Sequence, residues 1–348
     1  MKTKIIIFLA LITLVVTSCS NEDCIELSDL ADTNCEGNFY ISQLITPTDN
    51  LDVDYALGTF NQPIENPLNI NEIEKIDYAL SNFNAFPSNF SDYDQVNNKY
   101  AFLYNYDDEP LKILYLANTN PLSSESFTIE QDYAAPVFLN GKLYAVRGPE
   151  TDQNLNYEIL EIDQNNGIGT SIFSDTVTID GIYANRFVSS ASNGIDTIYF
   201  LGIKTIISYN VFSGVSQVLG IDIQYDGNIQ TALTGLEYRT ETNQLIAIHH
   251  KLNSPVDDNE VISINPENGT YSSLFNLADA IGTGSGNTTE LLINSTTYSS
   301  CSDTYFITQL TNTDAEPFDN KLLSIDLTNS QLTEQPTDSF IYGITIAE

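Results

Sequence analysis

The chain has 348 residues, with 12 Lys or Arg against 47 Asp or Glu, a formal net charge of −35 and a pI near 4.1. So acidic a surface repels phosphate polyanions, which excludes nucleic acid as a partner. Apolar residues at 42% and aromatics at 11% supply a real core, so this is not a disordered acidic tail, and the length exceeds one small domain unless repeats build it.

Lys2 and Lys4 open the chain, and Ile5 to Val16 is an apolar run interrupted by Thr13. That run is too short to span a bilayer as a helix and suits the apolar region of a signal peptide. It ends in Val16-Thr17-Ser18-Cys19, which resembles the lipobox of bacterial lipoproteins. The resemblance implies cleavage before Cys19, lipidation of its sulfur and acylation of the new amino terminus. Residues 1–18 are then a signal peptide, 19–36 a lipidated tether and 37–348 the folded domain; ordinary secretion is the alternative. Acyl chains contribute roughly 0.8 kcal/mol per buried CH₂, so several of them hold a protein on a membrane. Glu22-Asp23 is similar to the acidic export signals of Bacteroidetes surface lipoproteins, or else is solvated spacer. The expected location is the outer membrane or cell surface, with a periplasm-facing anchor left open. Cys24 and Cys35 lie in the tether and are the candidate disulfide of an oxidising compartment. Cys301 reads as a buried free thiol on an inner strand.

Beyond residue 100 one pattern recurs: a short apolar strand ending in Asp or Asn, then a polar turn. It is seen in Leu160-Glu161-Ile162-Asp163, Ile207-Ser208-Tyr209-Asn210, Ile262-Ser263-Ile264-Asn265 and Leu323-Ser324-Ile325-Asp326, with a fainter copy at Leu114-Tyr115-Leu116-Ala117. A second strand precedes each, as in Leu143-Tyr144-Ala145-Val146 and Leu245-Ile246-Ala247-Ile248, and Asn140-Gly141 and Asn193-Gly194 supply hairpin chemistry. An earlier strand lies before those turns, for example Pro136-Val137-Phe138-Leu139. Three or four antiparallel strands in a unit of roughly 45 to 60 residues match a β-propeller blade. The absence of Trp excludes the usual WD repeat, and no kelch Gly-Gly pair is present, so the resemblance is to divergent propellers, over roughly residues 84–348. Phe340 to Ile346 resembles a first strand with nothing after it, and Asn38 to Ser42 a second strand with nothing before it. Pairing them closes an all-β ring without exposed sheet edges. Six blades are expected; seven stay open, because residues 51–98 hold more strand-like sequence than half a blade needs.

Candidate chemistry is sparse. His249 and His250 are adjacent on a strand and face opposite sides, so they do not share one zinc. Gly282-Thr283-Gly284-Ser285-Gly286 lacks the Lys-Ser/Thr ending of a phosphate loop. Asp92-Tyr93-Asp94-Gln95-Val96-Asn97 begins like a calcium loop, but Val96 breaks the alternation of oxygen ligands. Asp92, Asp94, Asp257 and Asp258 are the candidate metal ligands, with solvated loop charge as the competing reading. Ca²⁺ is the cation such a surplus of carboxylates selects. Tyr144, Tyr199 and Phe306 recur at one strand position and read as core, whereas Tyr93, Tyr106 and Tyr225 read as loop aromatics for a glycan or peptide. Basic residues form no cluster, which disfavours a propeller phytase. Asp175-Thr176-Val177 and Asp196-Thr197-Ile198 are similar to a Bacteroidetes O-glycosylation sequon.

The expectation is therefore a lipid-anchored cell-envelope propeller acting as a binding or scaffolding module for a surface protein or glycan. The alternatives are a Ca²⁺-dependent propeller hydrolase, lactonase or lyase with tunnel carboxylates, and a structural subunit of a surface uptake complex.

Overall fold

The structure is a computed structural model that describes residues 35–45, 53–65, 67–80, 90–106, 111–129, 133–148, 156–176, 187–202, 205–221, 230–252, 259–277, 291–311 and 320–348. The lipobox and nearly all of the tether lie outside these residues, as do Tyr225, Asp257, Asp258 and the glycine-rich segment 282–286.

The described residues form 24 strands in six four-stranded antiparallel sheets. The first sheet holds β1 (Gly37–Ile45), β2 (Val53–Gln62) and β3 (Asn71–Leu80), with β24 (Phe340–Ala347) beside β1. The second holds β4 (Phe90–Asp94), β5 (Lys99–Tyr106), β6 (Leu111–Thr119) and β7 (Leu122–Ile129). The third holds β8 (Ala134–Leu139), β9 (Lys142–Arg147), β10 (Asn156–Ile162) and β11 (Gly169–Thr176). The fourth holds β12 (Ser189–Ser192), β13 (Thr197–Leu201), β14 (Thr205–Asn210) and β15 (Val215–Gly220). The fifth holds β16 (Gln230–Arg239), β17 (Gln244–Leu252), β18 (Glu260–Ile264) and β19 (Tyr271–Asn276). The sixth holds β20 (Leu291–Ser299), β21 (Thr304–Thr311), β22 (Asn320–Asp326) and β23 (Gln331–Thr337).

Strands β24, β4, β8, β12, β16 and β20 touch in succession and form the inner ring of a six-bladed β-propeller. Ring closure is the expected one, with Asn38 opposite Ala347 and Ile41 opposite Ile344. The extra strand-like sequence at 51–98 is β2, β3 and β4, which complete blade one and open blade two, so no seventh blade is needed.

The apolar runs have no polar alternation because both faces of each sheet are covered. On β17, Leu245 and Ala247 pack with Leu201 and Ile206 of blade four, while Ile246 and Ile248 pack with Tyr305 and Leu323 of blade six. Each buried side chain of this size contributes about 1.5–3 kcal/mol. The Asp or Asn ending the third strand of four blades caps its turn. Asp163, Asn210, Asn265 and Asp326 each accept a backbone N–H from two residues on, at 2.8–3.2 Å. Asn140 and Gly141 have φ of 52° and 77°, the two-residue hairpin turn expected of them. Asn193-Gly194 differs: the Asn193 Oδ1 accepts the N–H groups of Ile195, Asp196 and Thr197 and holds a longer turn.

Antiparallel order places all the first-to-second and third-to-fourth strand turns on one face, here the turn face. β1 starts and β24 ends there. The second-to-third strand ends, and the ends joining one blade to the next, fall on the opposite face, here the loop face, where the longer connections of the sequence start and finish.

Candidate functional site

The inner strands β8, β16 and β20 each carry a bulge, between Ala134 and Val137, Thr234 and Glu237, and Ile293 and Ser295. Bulges free ladder groups and re-aim side chains. In two of them a residue adopts left-handed φ, Ala135 at 53° and Gly235 at 64°. A Cβ on Gly235 would lie 2.6 Å from the Tyr305 hydroxyl, so glycine is required there.

Freed backbone groups and small polar side chains link the inner strands around the whole ring. Ser91 donates to the Ile344 carbonyl at 3.2 Å, and the Phe138 amide donates to Asp92 at 2.5 Å. Ser190 donates to the Pro136 carbonyl at 3.0 Å, and the Leu236 amide to Ser189 at 2.8 Å. Thr296 donates to Glu237 at 3.2 Å, the Tyr305 hydroxyl to the Gly235 carbonyl, and the Ile344 amide to Ser295 at 3.1 Å. All six blade junctions are bridged in this way.

Two carboxylates belong to this ring. Burial pushes the Asp92 carboxyl up to about 7; the Phe138 and Tyr93 amides oppose the rise and the charge of Asp94 adds to it. Burial, and then the charge of Asp92, push Glu237 well above the ordinary carboxylate range, with the Thr296 bond opposing. Tyr305 is raised too, by burial and then by Glu237. Both acids keep some exposed area although protein surrounds them, which fits groups lining a narrow axial space. Chemically, Asp92 can exchange a proton near neutral pH, Glu237 is held in its protonated form to a higher pH than an ordinary carboxyl, and both can ionise together if a cation neutralises them.

The expected site residues are distributed differently. Asp92 and Asp94 are on strand β4 and not in a calcium loop: Asp94 is 2% exposed and accepts the Val96 amide and the Asn97 side chain as a turn cap. Among the described residues no group of three or more His, Cys, Asp or Glu converges as a metal site. Tyr93 is no loop aromatic either. It is buried on β4, stacks on Tyr40 at 5.1 Å and shares a 2.9 Å hydrogen bond with Thr119, because its side chain points between blades one and two. Tyr106 ends strand β5. Tyr144, Tyr199 and Phe306 are buried in core positions as expected. His249 is buried with Nδ1 3.0 Å from Glu260, and its Nε2 has no hydrogen-bond partner.

Cys35 and Cys301 are both disulfide-bonded, and Cys24 lies outside the described residues. Cys301 is thus not the buried free thiol expected of it: it is exposed in the turn after β20, since Ser299 already ends the strand.

Sequence reasoning missed Glu237 and noticed Asp92 for another role. The available signal was a lone acid on the first strand of a blade, where the neighbouring blades offer small polar residues. A separate surface pocket of about 620 Å³ lies on blades two and three, lined by Lys99, Lys142, Glu161, Gln164 and Ile172 among others.

The chain is a six-bladed β-propeller with opposed carboxylates on its inner ring. No family model and no curated protein matches the sequence. Several solved structures do. A putative TolB from Agrobacterium tumefaciens is 10% identical, over 89% of this chain and 97% of that one, with a TM-score of 0.47. An oligogalacturonate lyase from Vibrio parahaemolyticus is 12% identical over 85% and 78%, with a TM-score of 0.44. The extracellular domain of a putative one-component system from B. thetaiotaomicron is 13% identical over 74% of this chain and 29% of that one, with a TM-score of 0.42.

Proposed function

We propose that the chain is a lipid-anchored propeller of the cell envelope that binds or scaffolds a surface protein or glycan. The observation that carries this reading is the engagement of both axial acids. Asp92 takes an amide of the next blade and Glu237 a hydroxyl of the next blade, so each holds a blade junction together. The loop face, with its longer connections on the rigid ring, is then the working surface. The anchor rests on the lipobox ending in Cys19. Labelling with a fatty acid tests it: Cys19→Ala abolishes the label, and continued labelling of that variant overturns the assignment.

The raised pKa values of Asp92 and Glu237 favour one second reading, a Ca²⁺-dependent propeller hydrolase, lactonase or lyase in which the two acids act at the axis. Turnover of lactones, esters and glycosides with and without Ca²⁺ separates the two. Calcium-dependent turnover lost in Asp92→Asn or Glu237→Gln replaces the binding reading with the enzyme.

A further inference from the structure

The geometry points to the turn face of blades two, three and four as a surface that rests on a lipid bilayer. The inference rests on the lipid-anchor reading above and assigns the face that meets the membrane. Large apolar residues stand outermost on these turns: Val96 is 67% exposed, Ile168 57%, Ile195 69% and Phe212 76%, with Leu122 at 46% and Val215 at 55% beginning the next strands. These residues lie on one face and on three consecutive blades. At the corresponding turn of blade five, Glu267 follows Asn265 where Phe212 follows Asn210 in blade four. Six large apolar residues this exposed on neighbouring turns of one face mark an interaction site.

The turns form one preorganised platform. Asn97 donates to the Gly141 carbonyl at 3.4 Å and Asn140 to the Ile195 carbonyl at 2.9 Å, tying blade two to three and three to four. Gln95 donates to the Ile346 carbonyl at 2.7 Å, which joins the platform to the end of β24. Asp94 is buried and accepts from the Val96 amide and the Asn97 side chain, and Asp196 is half-buried and accepts from Asn193 and Thr197; Asp163 caps its own turn but stays exposed beside the apolar tips.

The occupant follows from where the chain enters. β1 begins on this same face, and residues 20–36 separate it from Cys19, a reach of at most about 60 Å when fully extended. An anchor at Cys19 therefore joins the ring on this face and allows it to reach the bilayer. Interfacial apolar residues then add to the acyl anchor. The net charge of −35 favours a zwitterionic surface over an anionic one.

The chain has no Trp, so one introduced Trp is an unambiguous reporter. The full lipidated protein is reconstituted with brominated phosphatidylcholine vesicles, carrying either Phe212→Trp or Thr176→Trp at the exposed loop-face end of β11. Flotation reads the anchor and quenching reads the face. We expect flotation, with Phe212→Trp quenched several-fold more than Thr176→Trp. Flotation with equal or absent quenching overturns the docking face and leaves the anchor standing. Failure to float overturns the anchor reading and this inference with it. A concentration-dependent dimer dispersed by Phe212→Asp, without quenching, assigns the surface to a second copy of the chain and overturns the lipid.

Discussion

Asp92 on β4 raises the proton affinity of Glu237 on β16. These strands belong to blades two and five, which stand opposite each other in a ring of six, so the interaction crosses the axis. It links two inner-strand carboxylates that each hold a blade junction, and it makes the inner ring sensitive to pH.

The sign is set by the raised pKa. Asp92 titrates near 3.8 unfolded and near 7 folded, so the folded chain holds the proton more tightly. Its contribution is fully present below pH 3.8 and is lost as pH rises toward 7, on the order of 2–4 kcal/mol. Asp92→Asn keeps an oxygen for the Phe138 amide and removes the charge. Thermal melts should show the variant more stable than the parent at pH 8 and nearly equal at pH 4. A variant less stable at pH 8 would mean that the native carboxylate is ionised and neutralised by a bound cation.

Closure of the ring depends on β24. Ile341, Tyr342, Ile344 and Ile346 are buried, and Ile344 bridges to blades two and six through its carbonyl and amide. At about 1.5–3 kcal/mol for each buried side chain, their loss is comparable with the stability of a whole domain. Deleting residues 340–348 should give a chain that aggregates or melts far below the parent in calorimetry. An unchanged melting temperature would show that blade one stands without its inner strand.

Arg239 and Asp303 form a bidentate pair between blades five and six, at 11% and 12% side-chain exposure, with Nε 2.8 Å from Oδ1. Burial pushes the Asp303 carboxyl up, but hydrogen bonds from Arg239, Thr328 and Tyr298 together outweigh it and hold it below the usual range. Its stabilisation is present above pH 3.8 and fades as pH falls through the lowered folded value. Arg239→Ala leaves a buried carboxylate and should cost about 3–5 kcal/mol at pH 7 by denaturant melts. Arg239→Met with Asp303→Asn, which removes both charges, keeps an acceptor for Tyr298 and Thr328 and tolerates the φ of 46° at position 303, should recover most of that loss; a double variant as weak as the single would place the cost in packing.

The blades were legible in the sequence because their signals are local. An Asp or Asn capping its own turn within three residues, as Asp326 does toward Thr328 and Asn329, repeats visibly in four of the six blades. The inner ring was not legible because its partners are far apart in the chain: Asp92 meets Phe138, 46 residues on, and Glu237 meets Thr296, 59 residues on. Residues in that setting carry no local pattern. Asp92 and Asp94 read as loop ligands, and Tyr93 between them as exposed, because β4 is only five residues long and three of the five are polar. Cys301 was misplaced by two residues at a strand end, enough to turn a buried thiol into an exposed bonded one.

The disulfide follows from counting. The chain has four Cys, of which Cys35 and Cys301 are bonded. Lipidation of Cys19 leaves three thiols, and three thiols close one bridge. Cys35 and Cys301 are therefore expected to bond each other, with Cys24 left as a thiol in place of its expected bridge to Cys35. The two segments lie near each other, since Gly37 pairs with Gln62 and the Gln62 side-chain Nε2 donates to the Ser302 hydroxyl at 3.1 Å. A bridge closing the loop from residue 35 to residue 301 restricts almost the whole unfolded chain, and such bridges typically contribute about 2–4 kcal/mol. Peptide mapping without reduction should recover the Cys35 and Cys301 peptides joined, and reduction should lower the melting temperature by several degrees. Recovery of a Cys24–Cys35 peptide would overturn this pairing. It would also require Cys301 to bond Cys19, and so would remove the lipid from its proposed attachment site.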